Sequence, residues 1–222
     1  MDFFKLIQSL DELIYEVVGW LLFYPLTLWR VIRSPLGTMK LAEQELAETD
    51  RKQFHDLVAP PLFLLLTLIL VNSVELATVG ENRLVTSDRR VSALIGSDTS
   101  LIIFEILMFS ILPLTAAARL LRARHARLDK LAMRAPFYAQ CYVVALFALL
   151  WNAASVIAEN QFPFSAPAQV AIQGIALLWL FVVEARWFSA ELRVSPVRGF
   201  GQAAIMIGQW LALLLLAAFL LP

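Results

Sequence analysis

The sequence predicts an all-α membrane protein, a polytopic bundle of transmembrane helices preceded by an amphipathic helix. Hydrophobic residues make up 60% of the 222 residues and charged residues only 16%, whereas soluble domains are about 45–50% apolar and about 25% charged. The apolar residues gather into long runs, and most Lys and Arg residues lie between the runs on one predicted side of a bilayer. Together these observations indicate a chain that folds in lipid.

Five apolar runs reach the length of roughly 20 residues that a helix needs to cross about 30 Å of hydrocarbon. They are Val58–Val79, Leu101–Leu121, Phe137–Ala158, Ala168–Phe188 and Phe200–Leu221. We therefore predict about five membrane spans.

The amino-terminal segment has two interpretations. From Phe3 onward, apolar residues recur at helical spacing opposite a polar face, which is typical of a helix that lies in the membrane interface. The following stretch to Trp29 is apolar on all sides but short, which favours a shallow or re-entrant piece. The alternative is a sixth span over Leu13–Ile32, although this stretch contains Glu16 and Pro25. The interfacial or re-entrant helix is our prediction.

The chain is thus divided into two regions. Residues 1–56 form a cytoplasmic or interfacial amino-terminal region, and residues 57–222 form the five-helix transmembrane domain. Between Ser34 and Asp56 the sequence is polar and rich in good helix formers, which predicts a solvated helix at the membrane surface. This helix could instead be a docking surface for a protein partner.

The basic residues set the predicted orientation. With the amino terminus in the cytoplasm, only Arg83, Arg89 and Arg90 of the 18 Lys and Arg residues lie outside. Such asymmetry is a strong positive-inside signal, and it places the carboxyl terminus outside. A sixth span would move only Lys5 to the outside. We expect no cleavable signal peptide, and the sequence has no Asn-x-Ser/Thr acceptor; both are compatible with a bacterial inner membrane.

Polar residues inside the spans are candidates for function, because charged groups in hydrocarbon are costly. Glu75 and Glu105 each lie about four residues from the predicted outer end of a span, and Asn72 and Asn152 have a similar or slightly greater depth. These four side chains are predicted to form one outer-leaflet polar site. It is interpreted first as a hydrogen-bonded network and alternatively as the lining of a water-filled route.

The predicted cytoplasmic side carries two further features. Glu184 and Arg119 both lie near the inner ends of their spans, where they could form an ion pair. A dense basic segment follows the second span and predicts contact with anionic lipid headgroups. Its residues are Arg122, Arg124, Arg127, Lys130 and Arg134.

Small residues recur along the last span at three- and four-residue spacing, at Gly201, Ala204, Gly208 and Ala212. Such rows let two helix backbones approach closely in lipid. We predict that this face packs against the protein's own helices, with a homo-oligomer interface as the alternative.

Catalytic sequence motifs are missing. The chain has no glycine-rich phosphate loop, no zinc-type spacing of His and Cys, and no nucleophile elbow. The balanced charge, 18 basic against 18 acidic residues, gives no field that favours nucleic acid. We therefore predict a protein that is not an enzyme and has no cofactor or metal site.

The stretch that enters the first span reads Asp56, Leu57, Val58, Ala59, Pro60. It resembles the Asp-Leu-x-Gly-Pro signature of the Yip family, with Ala in place of Gly, and the five spans with an exterior carboxyl terminus are similar to the family's plan. The resemblance implies a membrane-organising or partner-scaffolding protein, related to partners of Rab-type GTPases and to bacterial proteins described as permeases. The alternative function is a channel or permease subunit that uses Glu75 and Glu105.

Overall fold

A computed structural model describes residues 3–47, 54, 56–79, 98–159 and 165–220, with side chains described for 17–47, 54, 56–78, 108–157 and 166–216. These residues form α-helices and no strand. The helices are α1 (Phe3–Arg33), α2 (Pro35–Ala47), α3 (Pro60–Val79), α4 (Asp98–Ala123), α5 (Lys130–Glu159), α6 (Ser165–Leu192) and α7 (Pro196–Leu220). The predicted all-helical fold is confirmed.

Four helices of the described part are long and apolar enough to cross a membrane, namely α3, α5, α6 and α7. Each covers nearly all of one of the predicted spans. The remaining predicted span, Leu101–Leu121, lies within α4, but the side chains of residues 101–107 are outside the described set. The protein is therefore a multi-pass membrane protein, and the span within α4 stays a prediction.

Helix α5 lies at the centre of the bundle. It packs against α2, α3, α4 and α6. Every residue from Ala139 to Ala148 is buried, and most of these residues belong to the main hydrophobic core. Helix α7 packs outside this arrangement, against α6 and α4.

Helix α1 is continuous through Pro25 and is 31 residues long. Its later half lies beside α3 and runs in the opposite direction. Thr27 lies at the beginning of α3, next to Val58, whereas Tyr24 is level with Thr67. Further along, an apolar cleft of about 330 Å³ lies between the two helices, with Val17 on one side and Ser73 on the other. The interfacial or re-entrant helix and its sixth-span alternative both stay predictions.

The chain connections from α4 to α5 and from α6 to α7 lie at the same end of the bundle as α2. Arg124 of the first connection contacts Glu191, which is close to the second. We call this the basic end. It carries the described Lys and Arg side chains, which are Arg30, Arg33, Lys40, Arg119, Arg122, Arg124, Arg127, Lys130, Arg134, Arg186, Arg193 and Arg198.

Candidate functional site

The segment before α3 is held inside the bundle by two side chains. Val58 is only 2% exposed, and its backbone is not helical. Its N–H donates to the Thr27 hydroxyl at 3.1 Å, and its carbonyl accepts from the Tyr142 hydroxyl at 2.8 Å. Because an unpaired buried backbone group is costly, these bonds let a non-helical turn enter the core. They join α1, α3 and α5 at one residue.

Neither Thr27 nor Tyr142 was identified from the sequence. Each is a polar residue inside an apolar run, which is the signal that could have marked them. Single hydroxyls in such runs are common, and their partners depend on helix positions that the sequence does not give. The segment they hold includes Leu57 and Ala59 of the Yip-like stretch.

A second buried contact joins α5 and α6. Gln140 and Glu184 are both 0% exposed, and the Gln140 amide donates to Glu184 Oε2 at 2.9 Å. The Oε1 atoms of both side chains have no hydrogen-bond partner among the described residues. This pair is the most deeply buried polar contact between two spans in that part of the chain.

The predicted ion pair between Arg119 and Glu184 is wrong. Arg119 donates through Nε to Oε1 of Gln202 at 2.6 Å, which joins α4 to α7. Glu184 instead faces α5, which lies between α4 and α6 and packs closely against both. The two side chains point to different neighbours, Arg119 to α7 and Glu184 to α5.

The residues of the predicted outer-leaflet site that the structure describes are buried. Asn72, Glu75 and Asn152 are 3%, 7% and 9% exposed, on α3 and α5. Each asparagine amide donates to the carbonyl four residues earlier in its own helix, at 2.9 Å to Leu68 and 3.0 Å to Ala148. These bonds within single helices are what a structural role requires. The Glu105 side chain is outside the described residues, so its pairing with Glu75 stays a prediction.

The basic segment after α4 has more than one structural role. Arg124 forms an ion pair with Glu191 and also donates to its backbone carbonyl at 3.0 Å. Arg134 lies over the ring of Tyr138, with 5.5 Å between the guanidinium carbon and the ring centre. Asp129 caps α5 by accepting from the N–H of Ala132 at 2.8 Å. Arg122, Arg127 and Lys130 are exposed. Their contact with lipid headgroups stays a prediction.

Near the ion pair between Arg124 and Glu191 lies the carboxyl group of Glu43, whose pKa is raised. Burial raises the pKa of Glu43 on α2 to about 7, the Glu191 carboxylate adds to the increase, and Arg124 opposes it. The basic end therefore holds an acid that titrates near neutral pH. This acid could not be identified from the sequence, because the shift depends on α2 being packed against the ends of the spans.

The predicted packing of the small-residue row against the protein's own helices is wrong. Gly201, Ala204, Gly208 and Ala212 are all exposed, and a methyl group added at either glycine would meet nothing within 4 Å. The wrong face of α7 was predicted to be buried, because small residues occur on both sides of this helix. The homo-oligomer alternative stays a prediction.

The close approach of α7 to α6 is at Gly199. A methyl group added there would collide with the Ser189 side chain and the Ala185 carbonyl oxygen. Ala203 and Met206 continue the same buried face. This contact is one that only the structure could single out among the glycines of the span.

Comparisons of the chain with protein-family models, with curated proteins and with solved structures found no match.

Proposed function

We propose that this multi-pass membrane protein is a membrane-organising or partner-scaffolding protein and not an enzyme, the role that its resemblance to the Yip family implies. One observation carries the proposal. Helix α5 passes through the centre of the bundle, and every residue from Ala139 to Ala148 is buried. A transport route along this axis would need space beside those side chains. The packing therefore supports a bundle that holds its helices in place.

The polar contacts support the same role. Asn72 and Asn152 donate within their own helices, and Tyr142 and Thr27 hold the backbone of Val58. Groups that line a conducting path must remain available to water or ions. These groups are used for structure, which favours a structural role over the channel alternative, although the two asparagine bonds do not themselves join helices.

The basic end offers the surface for a partner. Helix α2 buries Thr38, Met39 and Ala42 against the bundle, whereas Lys40 and Gln44 are exposed. A helix fixed on one side and exposed on the other can present a constant surface to a cytoplasmic protein. We place the partner site on this exposed face of α2.

Photo-crosslinking in cells tests the partner site. A photoreactive residue at Gln44 should give a discrete protein adduct, and the same residue at Leu178, which is exposed on α6, should not. Purified protein in liposomes should also leave cation gradients intact. Cation flux above that of empty liposomes, together with no adduct at Gln44, would replace the scaffold with the channel alternative.

We also propose that the basic end faces the cytoplasm, because this orientation follows the positive-inside rule. Cysteine labelling with an impermeant reagent on intact cells tests it. Cysteine at Ala166, at the beginning of α6, should be labelled, and cysteine at Ala126 should not. The parent protein is the control, because its single cysteine, Cys141, is buried. The reverse pattern would invert the orientation.

A further inference from the structure

A cavity of about 590 Å³ lies at the basic end, between the end of α4 and the beginning of α7. Four basic side chains and one amide line it. These residues are Arg119, Arg122, His125, Arg198 and Gln202. We propose that this cavity is a binding site for the phosphate-bearing headgroup of an anionic phospholipid.

The side chains around the cavity carry net positive charge, which favours binding of an anion. No carboxylate is among its lining residues, and Arg122 and Arg198 have no ion pair with any described residue. Arg124, one turn beyond Arg119, differs because Glu191 already neutralises it. Like charges gathered around one space repel each other, and a bound phosphate would offset that repulsion. Guanidinium groups also match the geometry of phosphate oxygens.

Arg119 is held in position for this role. Its Nε donates to Gln202 Oε1 at 2.6 Å, and Gln202 belongs to the opposite wall. A single hydrogen bond at Nε uses one of five donors and restricts the rotation of the side chain. The site is therefore partly organised before any ligand binds.

The walls are not only polar, and this favours a lipid over a soluble phosphate compound. Leu192, Val194 and Ile205 also line the cavity. Ile205 is 45% exposed and Val197 80% exposed, so the apolar wall continues into the exposed apolar face of α7. A phospholipid matches both parts, with its phosphate among the arginines and an acyl chain along α7. Pockets of basic residues between helices at the cytoplasmic side are a known form of lipid headgroup site.

Gly201 gives the cavity its depth. It lies in the wall between Arg198 and Gln202, and a methyl group added there would meet nothing within 4 Å. A larger side chain would therefore extend into the cavity and not into the bundle. Gly201 was predicted to pack against another helix of the protein, but in the structure it lines this cavity.

Native mass spectrometry of purified protein in detergent, with added phosphatidylglycerol or phosphatidylcholine, tests the site. The parent protein should retain phosphatidylglycerol preferentially. Arg119→Gln with Arg198→Gln should weaken that retention by about twenty-five-fold, since each arginine near an anionic headgroup contributes about a factor of five. Gly201→Leu, which changes no charge, should weaken it by about ten-fold by occupying the space.

The matched control is Lys40→Gln with Arg186→Gln, which removes the same charge from exposed positions of the basic end outside the cavity. It should change retention by less than about two-fold. Equal loss in the control would overturn the proposal in favour of diffuse electrostatic attraction. Unchanged retention by Gly201→Leu would overturn the location. Displacement of the lipid by an equal concentration of inorganic phosphate or of a phosphopeptide would overturn the lipid as the ligand.

Thermal unfolding of each variant without added lipid shows whether it is folded. Arg198→Gln and Gly201→Leu replace exposed residues and should keep the parent transition temperature. They test the site even if Arg119→Gln, which loses the bond to Gln202, unfolds. The orientation of the bundle does not enter this experiment, so its result is independent of the scaffold proposal.

Discussion

Helices α5 and α6 have similar length and nearly the same mean hydropathy, yet their surroundings differ. In the most apolar 18-residue stretch of α5, 56% of the residues are buried, against 17% in the corresponding stretch of α6. In water such a difference would appear as different compositions, because exposed surfaces there are polar. In lipid both the core and the surface are apolar. Hydropathy therefore identifies a span without showing whether it is central or peripheral.

What distinguishes α5 is the size and chemistry of its side chains. Ala139, Ala145 and Ala148 are wholly buried and let neighbouring helices come close, and Gln140 and Tyr142 make hydrogen bonds to other helices. The exposed face of α6 carries large apolar residues that make no such contacts. Its members include Val170, Ile175 and Leu178. Buried alanines and hydrogen bonds to other parts of the bundle thus distinguish α5 from α6, although small residues alone do not, because the row on α7 is exposed.

The largest expected difference between the two helices comes from enlarging an alanine. Ala145→Leu should destabilise the protein by about 1–3 kcal/mol or more, because the added methyl groups have no space in a packed core. Ala171→Leu, at an exposed position of α6, should be nearly neutral. Thermal unfolding in detergent measures both. Equal transition temperatures would mean that α5 is not central.

Tyr142→Phe removes a hydrogen bond from the same helix without changing its shape. The variant should lose about 1–3 kcal/mol of stability, since it leaves the buried carbonyl of Val58 without the Tyr142 donor. Tyr138→Phe is the control, because Tyr138 is only half-buried and makes ring contacts that phenylalanine retains. The measurement is again thermal unfolding. A neutral Tyr142→Phe would show that another group can take over at Val58.

A peripheral helix can still be intolerant at one point, and Gly199 of α7 tests this. Gly199→Ala should destabilise by about 1–2 kcal/mol, because the backbone carbonyl of Ala185 must move away. Gly201→Ala, two residues later, meets nothing within 4 Å and should be neutral or slightly stabilising. Comparing their transition temperatures separates a true helix contact from the lipid-facing row. If Gly201→Ala were the more harmful, the row would be an interface between copies.

The smallest expected effect concerns pH. The pKa of Glu43 is raised from 4.5 to about 7 in the folded protein, so folding favours its protonated form. This contribution is fully present below about pH 4.5 and is lost as pH rises through about 7. Glu43→Gln should match the parent at pH 5 and be more stable at pH 8. If the difference in stability between the parent protein and Glu43→Gln were the same at pH 5 and at pH 8, the raised pKa of Glu43 would be contradicted.

The sequence allowed the class of fold and four of the spans to be predicted, since both depend on hydrophobic length. It did not allow the contacts to be predicted. Glu184 and Arg119 were predicted to lie at similar depths but face different helices, and Gly199 differs from Gly201 only in which side of α7 it occupies. Such outcomes depend on the rotation of each helix, and a uniformly apolar helix carries little pattern that fixes its rotation.

The contact between Val58 and Tyr142 has a consequence for the order of assembly. Helices α3 and α5 are neighbours, and α4 lies between them in the sequence, so α3 and α4 are both synthesised before α5 can be inserted. Until then, the carbonyl of Val58 lacks the hydroxyl that accompanies it in the folded state. We expect α3 to remain a separately inserted helix, able to move in the bilayer, while synthesis continues. Lateral association would then begin with the arrival of α5, and a chain truncated before Tyr142 would expose α3 to membrane quality control.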